Sequence, residues 1–189
     1  MINYPNGKKR KYNALKISQA NRGMTLEKDL NRSNKYFLEK NIANIHKKPT
    51  PIQIVSVDYP KRSAAKITEA YFKVASTTDY NGVYKGRAID FEAKECSQKS
   101  FPLKSIHQHQ IQHLKSVIHH GAIAFMIIRF TSLDETFFVN AKDIINIYEN
   151  KEKTRKSIPY SWFKKNCHLI PFNLLVPVNY IKVLDELYF

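Results

Sequence analysis

The segment TTDYNGVYKGRAIDFEAKE, residues 77–95, carries the densest structural signal in the chain and predicts a β-hairpin. Residues 78–84 and 87–94 both favour strands, and a tight turn containing Gly86 joins them. Because successive side chains of a strand point to opposite faces, this hairpin fixes which of its residues share a surface.

Charged side chains alternate along the second strand, so Asp90, Glu92 and Lys94 are predicted on one face. Burying them without partners would be costly, and a divalent cation would compensate. Asp79 and Glu92 offer the hard oxygen ligands that Mg²⁺ prefers, and Lys94 would lie beside the metal. There it would help to activate water or neutralise transition-state charge. The alternative is a solvent-facing edge strand with alternating charges.

The rest of the chain surrounds this hairpin with helices and apolar strands. The periodicity predicts the following elements: a helix from Thr25 to about Ile45, a strand at 52–57, a helix at 63–74, a helix at 103–120, strands at 122–130 and 135–140, and helices near 141–150 and 179–188. Basic loops (KEKTRK, FKKN) are expected between the last two helices. The order predicts one α/β domain over residues 25–189, with a mixed central sheet flanked by helices.

Composition excludes several classes of protein. The chain has 189 residues, of which 43% are hydrophobic, which suits one globular domain. The longest apolar run, 122–128, is too short to span a bilayer, and the N-terminus lacks the apolar region of a secretory signal. Cys96 and Cys167 show no metal or redox spacing and fit a reduced cytoplasmic protein. Membrane proteins, secreted scaffolds and fibrous proteins are therefore not expected.

The net charge indicates a polyanionic partner. Lys plus Arg number 31 against 16 Asp plus Glu, a formal charge of +15. Nucleic acid is the usual partner of such a surface, whereas lipid binding normally needs an amphipathic basic helix that the sequence lacks. No acid precedes Glu27, so residues 1–24 are predicted to form a flexible basic arm. A solvated basic surface without a partner is the alternative.

Two further polar features allow more than one interpretation. Gln110 is predicted on the inward side of its helix, where its amide needs a partner, either a metal-bound water or a core group. His109 and His113 lie four residues apart, yet nothing with structural-zinc spacing accompanies them, which favours phosphate contacts or plain surface histidines. Glu27 fits a helix N-terminus by its charge alone.

Several blocks of sequence carry a family resemblance. Asp79 followed by Glu92-Ala-Lys94 resembles the PD-(D/E)xK nuclease superfamily. The chain also resembles the RecU Holliday-junction resolvases through these blocks: RGMTLEKDLNRSNKYF (22–37), HKKPTPIQIVSVDYPKRSAA (46–65), EAYF (69–72), STTDYNG (76–82), DFEAKE (90–95), FPL (101–103), HQHQ (107–110) and ELYF (186–189). The blocks span nearly the whole chain.

The resemblance implies a restriction-endonuclease-like core with a projecting stalk near 59–76. It also implies a homodimeric, Mg²⁺-dependent endonuclease, with Mn²⁺ as a substitute, that nicks four-way junction DNA symmetrically in recombination and repair. Carried over by motif, the metal ligands are Thr77, Asp79, Glu92 and Gln110, and Lys94 stabilises the transition state. Thr78 stands before Asp79 where the superfamily usually has Pro, although the TTD triplet agrees with the RecU type.

Several positive side chains are predicted to contact DNA from their positions in the RecU-like sequence. The stalk would use Lys61 and Arg62 at the branch point, and the basic arm would use Lys8, Lys9, Arg10 and Lys11 for sequence-independent affinity. Lys48, Lys85 and Arg87 are predicted to contact the scissile strand near the metal.

The expected setting is the cytoplasm, at the nucleoid, with recombinase and branch-migration proteins as further partners. The alternatives are a restriction-type duplex endonuclease and a non-catalytic DNA-binding or recombination-regulating protein.

Overall fold

A six-stranded mixed sheet with helices on both faces forms the centre of the protein, which confirms the predicted fold class. The computed structural model describes residues 25–73, 77–152 and 155–189, so the predicted arm at 1–24 lies outside the described residues. The elements are α1 (Leu26–Glu39), β1 (Asn44–Lys47), β2 (Ile52–Asp58), β3 (Lys66–Phe72), β4 (Tyr80–Tyr84), β5 (Arg87–Cys96), β6 (Ser100–Pro102), α2 (Gln108–His119), β7 (Ile123–Phe130), β8 (Glu135–Asn140), α3 (Ala141–Glu149), β9 (Ser157–Pro159), α4 (Tyr160–Asn166), β10 (His168–Ile170) and α5 (Tyr180–Tyr188).

The strand order in the sheet is β1-β4-β5-β7-β8-β10. β5 and β7 are parallel and are connected through α2, whereas the other neighbouring pairs are antiparallel. The two strands at the centre are therefore β5 and β7. The register pairs Glu92 with Met126, and this places the predicted catalytic strand in the interior of the sheet.

Each face of the sheet packs its own core. Side chains such as Phe91 and Phe125, with ring centroids 4.7 Å apart, pack with α1 and α5 on one face. Met126 and Ile128 pack with α2, α3 and α4 on the other. Because side chains alternate, Asp90, Glu92 and Lys94 point towards the α2 side.

The β4–β5 hairpin matches the sequence prediction. Lys85 and Gly86 connect the strands with φ values of 45° and 74°, the positive values that a type I′ turn requires. At Gly82 a Cβ atom would lie 2.1 Å from the Asn44 carbonyl oxygen. Glycine at this position lets β1 lie against β4, and β1 brings the chain at Lys48 to Asp79.

The helix predicted from Thr25 to about Ile45 is correct at its start and wrong at its end. The Thr25 hydroxyl accepts from the Lys28 N–H, as an N-cap does. The helix ends at Glu39, and Asn41 has a φ of 53°. Ile45 is then a buried residue of β1, not a further turn of helix. Its apolar spacing fitted the helical period by coincidence.

The helix predicted at 63–74 is wrong. Lys66–Phe72 is a strand that pairs with Ile52–Asp58, and every residue of both strands is exposed. We call residues 52–72 the β2–β3 ribbon. The strand predicted at 52–57 is confirmed as β2, whereas β3, with both faces in solvent, lacks the alternation that identifies a strand in a sequence. The predicted FKKN loop is also wrong, since these residues complete α4.

Within the described part of the chain, no helix is both long and apolar enough to cross a membrane.

Candidate active site

Charged side chains of β5 are buried on the α2 face of the sheet. Asp90 is 6% exposed and Glu92 is 1% exposed, while Lys94 is half-buried. β5 pairs with β4 on one side and β7 on the other. The alternative of a solvent-facing edge strand is therefore wrong, and each buried charge needs a compensating partner.

Glu92 makes contacts from both carboxylate oxygens. Its Oε1 atom lies 2.8 Å from Lys94 Nζ and accepts from Gln110 Nε2 at 2.5 Å. Its Oε2 atom accepts from the backbone N–H of Asp79 at 3.1 Å. Glu92 therefore joins three of the residues that the sequence predicted for one site.

Burial raises the pKa of the Glu92 carboxyl to about 7. The Lys94 ammonium opposes this increase, and the negative charge of Asp79 adds to it. Because the Asp79 backbone contacts Glu92 directly, the two residues bring two negative charges to one place in the fold. A divalent cation between such groups would relieve both the burial and the repulsion.

Asp79 is half-buried and lies at the start of β4, directly before the pair Tyr80–Phe91. Its backbone is fixed on both sides, because its N–H donates to Glu92 and its carbonyl accepts from the Lys48 N–H at 2.7 Å. The β4–β5 register thus places Asp79 beside Glu92 although 13 residues separate them.

Gln110 lies in the first turn of α2 and is 5% exposed. Besides its bond to Glu92, its Oε1 atom accepts from the His107 N–H at 3.0 Å, which forms a capping box. The expectation that its inward amide needs a partner is met by a carboxylate. Metal ligation by Gln110 stays a prediction.

Other candidates lie at the margin of this site. The Thr77 hydroxyl donates to the Thr78 carbonyl at 3.4 Å, and its role as a ligand stays a prediction. Glu27 forms an ion pair with Lys47 at 2.6 Å. His109, next to Gln110, stacks on His107, and burial together with the charges of His107 and Lys94 lowers its pKa.

No three His, Cys, Asp or Glu side chains converge as a metal site in residues 25–73, 77–152 and 155–189. The predicted ligands are of a different kind, because only Asp79 and Glu92 are carboxylates and Gln110 adds an amide oxygen. Zinc held by several histidines has no arrangement to support it among these residues.

Sequence reasoning placed Asp90 on the correct face and gave it no role. In the structure its carboxylate contacts Lys48, Thr78 and His113, which come from three separate segments. Only the period-2 alternation could have indicated its burial. The partners lie up to 42 positions away in sequence, so no local pattern connects them.

The prediction that Lys85 and Arg87 lie near the metal site is wrong. Both lie at the turn of the β4–β5 hairpin, and Arg87 is five residues from Glu92, about 16 Å along a strand. Lys85 forms an ion pair with Asp185 at 2.6 Å, and Arg87 donates to the Gly121 carbonyl at 3.0 Å. The hairpin carries them to the opposite end of the ladder. Binding of DNA by Lys85 and Arg87 stays a prediction.

The remaining basic candidates lie elsewhere. Lys48 is beside Asp79, with its ammonium bound to Asp90 and Thr78, and its contact with DNA stays a prediction. Lys61 and Arg62 are exposed in the connection between β2 and β3, at the tip of the β2–β3 ribbon. Lys8, Lys9, Arg10 and Lys11 lie outside the described residues.

Comparisons with known proteins identify relatives along nearly the whole chain. The family model for RecU, described as recombination protein U, matches residues 21–186. The chain is 52% identical to "Holliday junction resolvase RecU" of Oceanobacillus iheyensis, with 100% of both chains covered. It is also 52% identical to the protein of the same name from Geobacillus kaustophilus, covering 100% of this chain and 98% of that one.

Among solved structures, a Holliday junction resolvase named Hjc from Archaeoglobus fulgidus is similar at 12% identity and a TM-score of 0.40. The match covers 69% of this chain and 88% of the archaeal one.

Proposed function

The chain belongs to the RecU family, and on that premise we propose that it is a Mg²⁺-dependent endonuclease that resolves four-way DNA junctions. The proposed reaction is symmetric nicking of two strands during recombination and repair. Its relatives at about half identity over full length carry the name Holliday junction resolvase.

The observation that carries the proposal is the group of Asp79, Glu92 and Lys94, in which Glu92 is buried and the other two are half-buried. A carboxylate that is 1% exposed, beside a second carboxylate and a lysine ammonium at 2.8 Å, is costly for stability. A carboxyl whose pKa is raised by burial, as that of Glu92 is, is typical of a catalytic site. A protein that only binds DNA would not need them, which favours the enzyme over the non-catalytic alternative.

The residues fit a hard divalent cation. Asp79 and Glu92 supply carboxylate oxygens, and Gln110 and Thr77 would complete the ligands through an amide and a hydroxyl or carbonyl oxygen. The pKa of Glu92, raised to about 7 chiefly by burial and also by Asp79, supports a site where an added positive charge is favourable. Mg²⁺ is the proposed ion, with Mn²⁺ as a substitute.

Each residue then has a role in phosphodiester hydrolysis. When bound, the cation would activate water for in-line attack and neutralise charge on the phosphate. Lys94 would place its ammonium against the developing negative charge of the transition state. Asp79 and Glu92 would hold the ion, and the buried position of Glu92 would keep bulk water from weakening these interactions.

DNA contacts are proposed at three places. Lys48 lies beside Asp79 and would contact the strand near the scissile phosphate. Lys61 and Arg62, at the tip of the β2–β3 ribbon, would enter the open centre of the junction. The basic arm would add affinity that falls with salt. The seven residues of each ribbon strand give a reach of about 23 Å.

Symmetric nicking needs two sites related by a two-fold axis, so we propose a homodimer. The setting proposed for it is the cytoplasm, at the nucleoid, where recombinase and branch-migration proteins would act on the same junctions.

The β2–β3 ribbon separates the junction enzyme from a restriction-type duplex endonuclease. A duplex cutter shares the catalytic strand but has no use for an exposed ribbon that suits a branch point. Phe72 is 84% exposed and Tyr71 is 61% exposed, and such aromatic exposure favours a partner for the ribbon.

The test compares a synthetic mobile four-way junction with linear duplex of the same sequence, with Mg²⁺ or with a chelator. The parent is expected to nick junctions symmetrically only with Mg²⁺, and Asp79→Asn and Glu92→Ala are expected to bind junctions without nicking them. A parent that leaves junctions uncut while both variants bind equally well contradicts the nuclease. Equal cutting of duplex supports the restriction-type alternative.

A further inference from the structure

Asp90 is a second buried carboxylate, outside the proposed metal ligands, and it is 6% exposed. Its Oδ2 atom lies 3.0 Å from Lys48 Nζ and 3.2 Å from His113 Nε2, and its Oδ1 atom accepts a short hydrogen bond from the Thr78 hydroxyl. We call these four residues the Asp90 cluster. A charge retained inside a protein with so many partners has either a structural or a functional reason.

Two members of the cluster, Thr78 and Lys48, are joined to the main chain of Asp79. Thr78 directly precedes Asp79, and its hydroxyl is bound by both Asp90 and Lys48 Nζ, the latter at 3.0 Å. The backbone N–H of Lys48 donates to the Asp79 carbonyl at 2.7 Å. Asp90 therefore holds the side chains of Thr78 and Lys48. The main chains of these two residues are joined to Asp79, by the peptide bond and by a hydrogen bond respectively.

The third member connects Asp90 to α2. His113 lies three residues after Gln110, so both side chains project from the same face of the helix. Asp90 and Glu92 are likewise two residues apart on one face of β5. Two parallel contacts follow, from Asp90 to His113 and from Glu92 to Gln110 at 2.5 Å. The position of α2 against β5, and with it Gln110, depends on both.

We infer that Asp90 is a positioning residue of the metal site, which acts through Thr78, Lys48 and His113 to hold Asp79 and Gln110 in place. The inference rests on the proposed function, since it concerns the site assigned there. Asp90 is not one of the proposed ligands, and its contacts go to Lys48, Thr78 and His113, the residues next to those ligands in the fold. Residues that orient metal ligands usually contribute about 10- to 100-fold to metal affinity.

The experiment measures Mn²⁺ affinity of the full chain without DNA, by electron paramagnetic resonance of the free ion, for the parent and Asp90→Asn. The amide keeps the volume and one acceptor oxygen but loses the charge that holds Lys48. The expected result is an affinity about tenfold weaker and a lower kcat for junction nicking even at saturating metal. Asp79→Asn should be weaker still.

Asp29→Asn is the matched control. Asp29 is 3% exposed and is paired with Arg129 at 2.6 Å, so its loss also removes a buried, paired carboxylate. It is expected to lower thermal stability as Asp90→Asn does, while Mn²⁺ affinity stays within twofold of the parent. This comparison separates positioning of the metal site from general destabilisation.

A double-mutant cycle tests the route of the effect. Thr78→Val alone should weaken Mn²⁺ affinity about threefold. If Asp90 acts through Thr78, the same substitution added to Asp90→Asn should weaken Mn²⁺ affinity by less than a further twofold. If Asp90→Asn fails to fold, Thr78→Val takes its place in the affinity measurement. In that variant Asp90 retains its contacts with Lys48 and His113.

Two outcomes overturn the inference. Mn²⁺ affinity and kcat of Asp90→Asn within twofold of the parent would make the cluster purely structural. A loss as complete as that of Asp79→Asn would make Asp90 a ligand itself. Failure of the proposed function is distinguishable, because a parent that binds Mn²⁺ but cuts no junction leaves the affinity comparison intact.

Discussion

Two neighbouring strands, β5 and β7, carry opposite chemistry on the same face of the sheet. The register pairs Asp90 with Ala124, Glu92 with Met126 and Lys94 with Ile128. On β7 these positions are apolar and pack with α2, α3 and α4.

Met126 shows which kind of side chain the α2 face of the sheet favours outside the candidate site. It is fully buried, and Glu92 beside it is 1% exposed, so the two positions are equally removed from water. The charges of β5 survive there because Lys94, Gln110 and the Asp90 cluster are arranged around them. The difference teaches that burial does not distinguish the site from the core, whereas the supply of polar partners does.

The largest expected effect comes from giving β7 the charge of β5. Met126→Glu would bury a carboxylate without the partners that Glu92 has, and should lower the free energy of unfolding by about 3–5 kcal/mol. Urea denaturation measures it. Met126→Leu, which keeps the volume, should cost less than about 1.5 kcal/mol. Should Met126→Glu fail to fold, Met126→Gln is expected to cost about 1–3 kcal/mol. A glutamate tolerated within about 1 kcal/mol would show that the two strands do not differ as argued.

Removing the cation from β5 is the next test. Lys94→Met keeps most of the side-chain length and should lower the nicking rate at saturating protein about 10²- to 10³-fold, the usual value of one electrostatic group at a transition state. Junction affinity should be nearly unchanged. Lys115→Met is the control, because Lys115 forms a surface ion pair with Glu149. Its nicking rate should stay within twofold of the parent. A Lys94→Met rate within threefold of the parent argues against a catalytic role for Lys94.

The raised pKa of Glu92 predicts how metal stabilisation depends on pH. Between 4.5 and about 7 the folded protein keeps a proton on Glu92 that the unfolded chain has released. This group therefore favours the metal-free fold at low pH, and that contribution is lost as pH rises through this range. Metal binding needs the ionised carboxylate, so Mg²⁺ affinity should rise with pH up to about 7.

The corresponding measurement is the increase in Tm that Mg²⁺ produces. It should be about 3 °C larger at pH 8 than at pH 6 for the parent. In Glu92→Gln the increase should not change with pH through this group. An increase that is equal at both pH values in the parent contradicts the assignment of the raised pKa to a metal ligand.

The smallest expected effect concerns the β2–β3 ribbon, away from the two central strands. Arg62→Ala should lower junction cleavage about fivefold while duplex affinity changes less, the size of one weakened charged hydrogen bond. Arg32→Ala, an exposed arginine of α1, is the control and should leave the ratio of the two measurements unchanged. Equal losses of junction cleavage and duplex affinity would refute the branch-point role of Arg62.

How far sequence alone predicts this molecule depends on whether the signal is local. The β4–β5 hairpin was predictable because the turn and the alternation lie within 19 residues, and the apolar run of β7 identified a buried strand. The 63–74 helix was wrong because the ribbon pairs Ile52 with Phe72, a contact 20 residues apart, and buries neither face. Pairing at that distance leaves no periodic trace.

The site divides in the same way. Period-2 geometry predicted that Asp90, Glu92 and Lys94 share a face, and the hairpin brought Asp79 beside them. The partners of Asp90 come from the residue after β1, from the segment before β4 and from the middle of α2, so only the folded chain brings them together. The prediction that Lys85 and Arg87 lie near the proposed metal site failed because charge alone does not say which end of a hairpin a residue occupies.

The most direct test of the central claim, that the charged face of β5 is the catalytic site, is the single-turnover nicking rate of Glu92→Gln. Junction binding is first shown to be equal to that of the parent in Ca²⁺, and Mg²⁺ is then supplied. The account predicts a rate about 10³-fold below the parent with unchanged affinity. A rate within tenfold of the parent would contradict it.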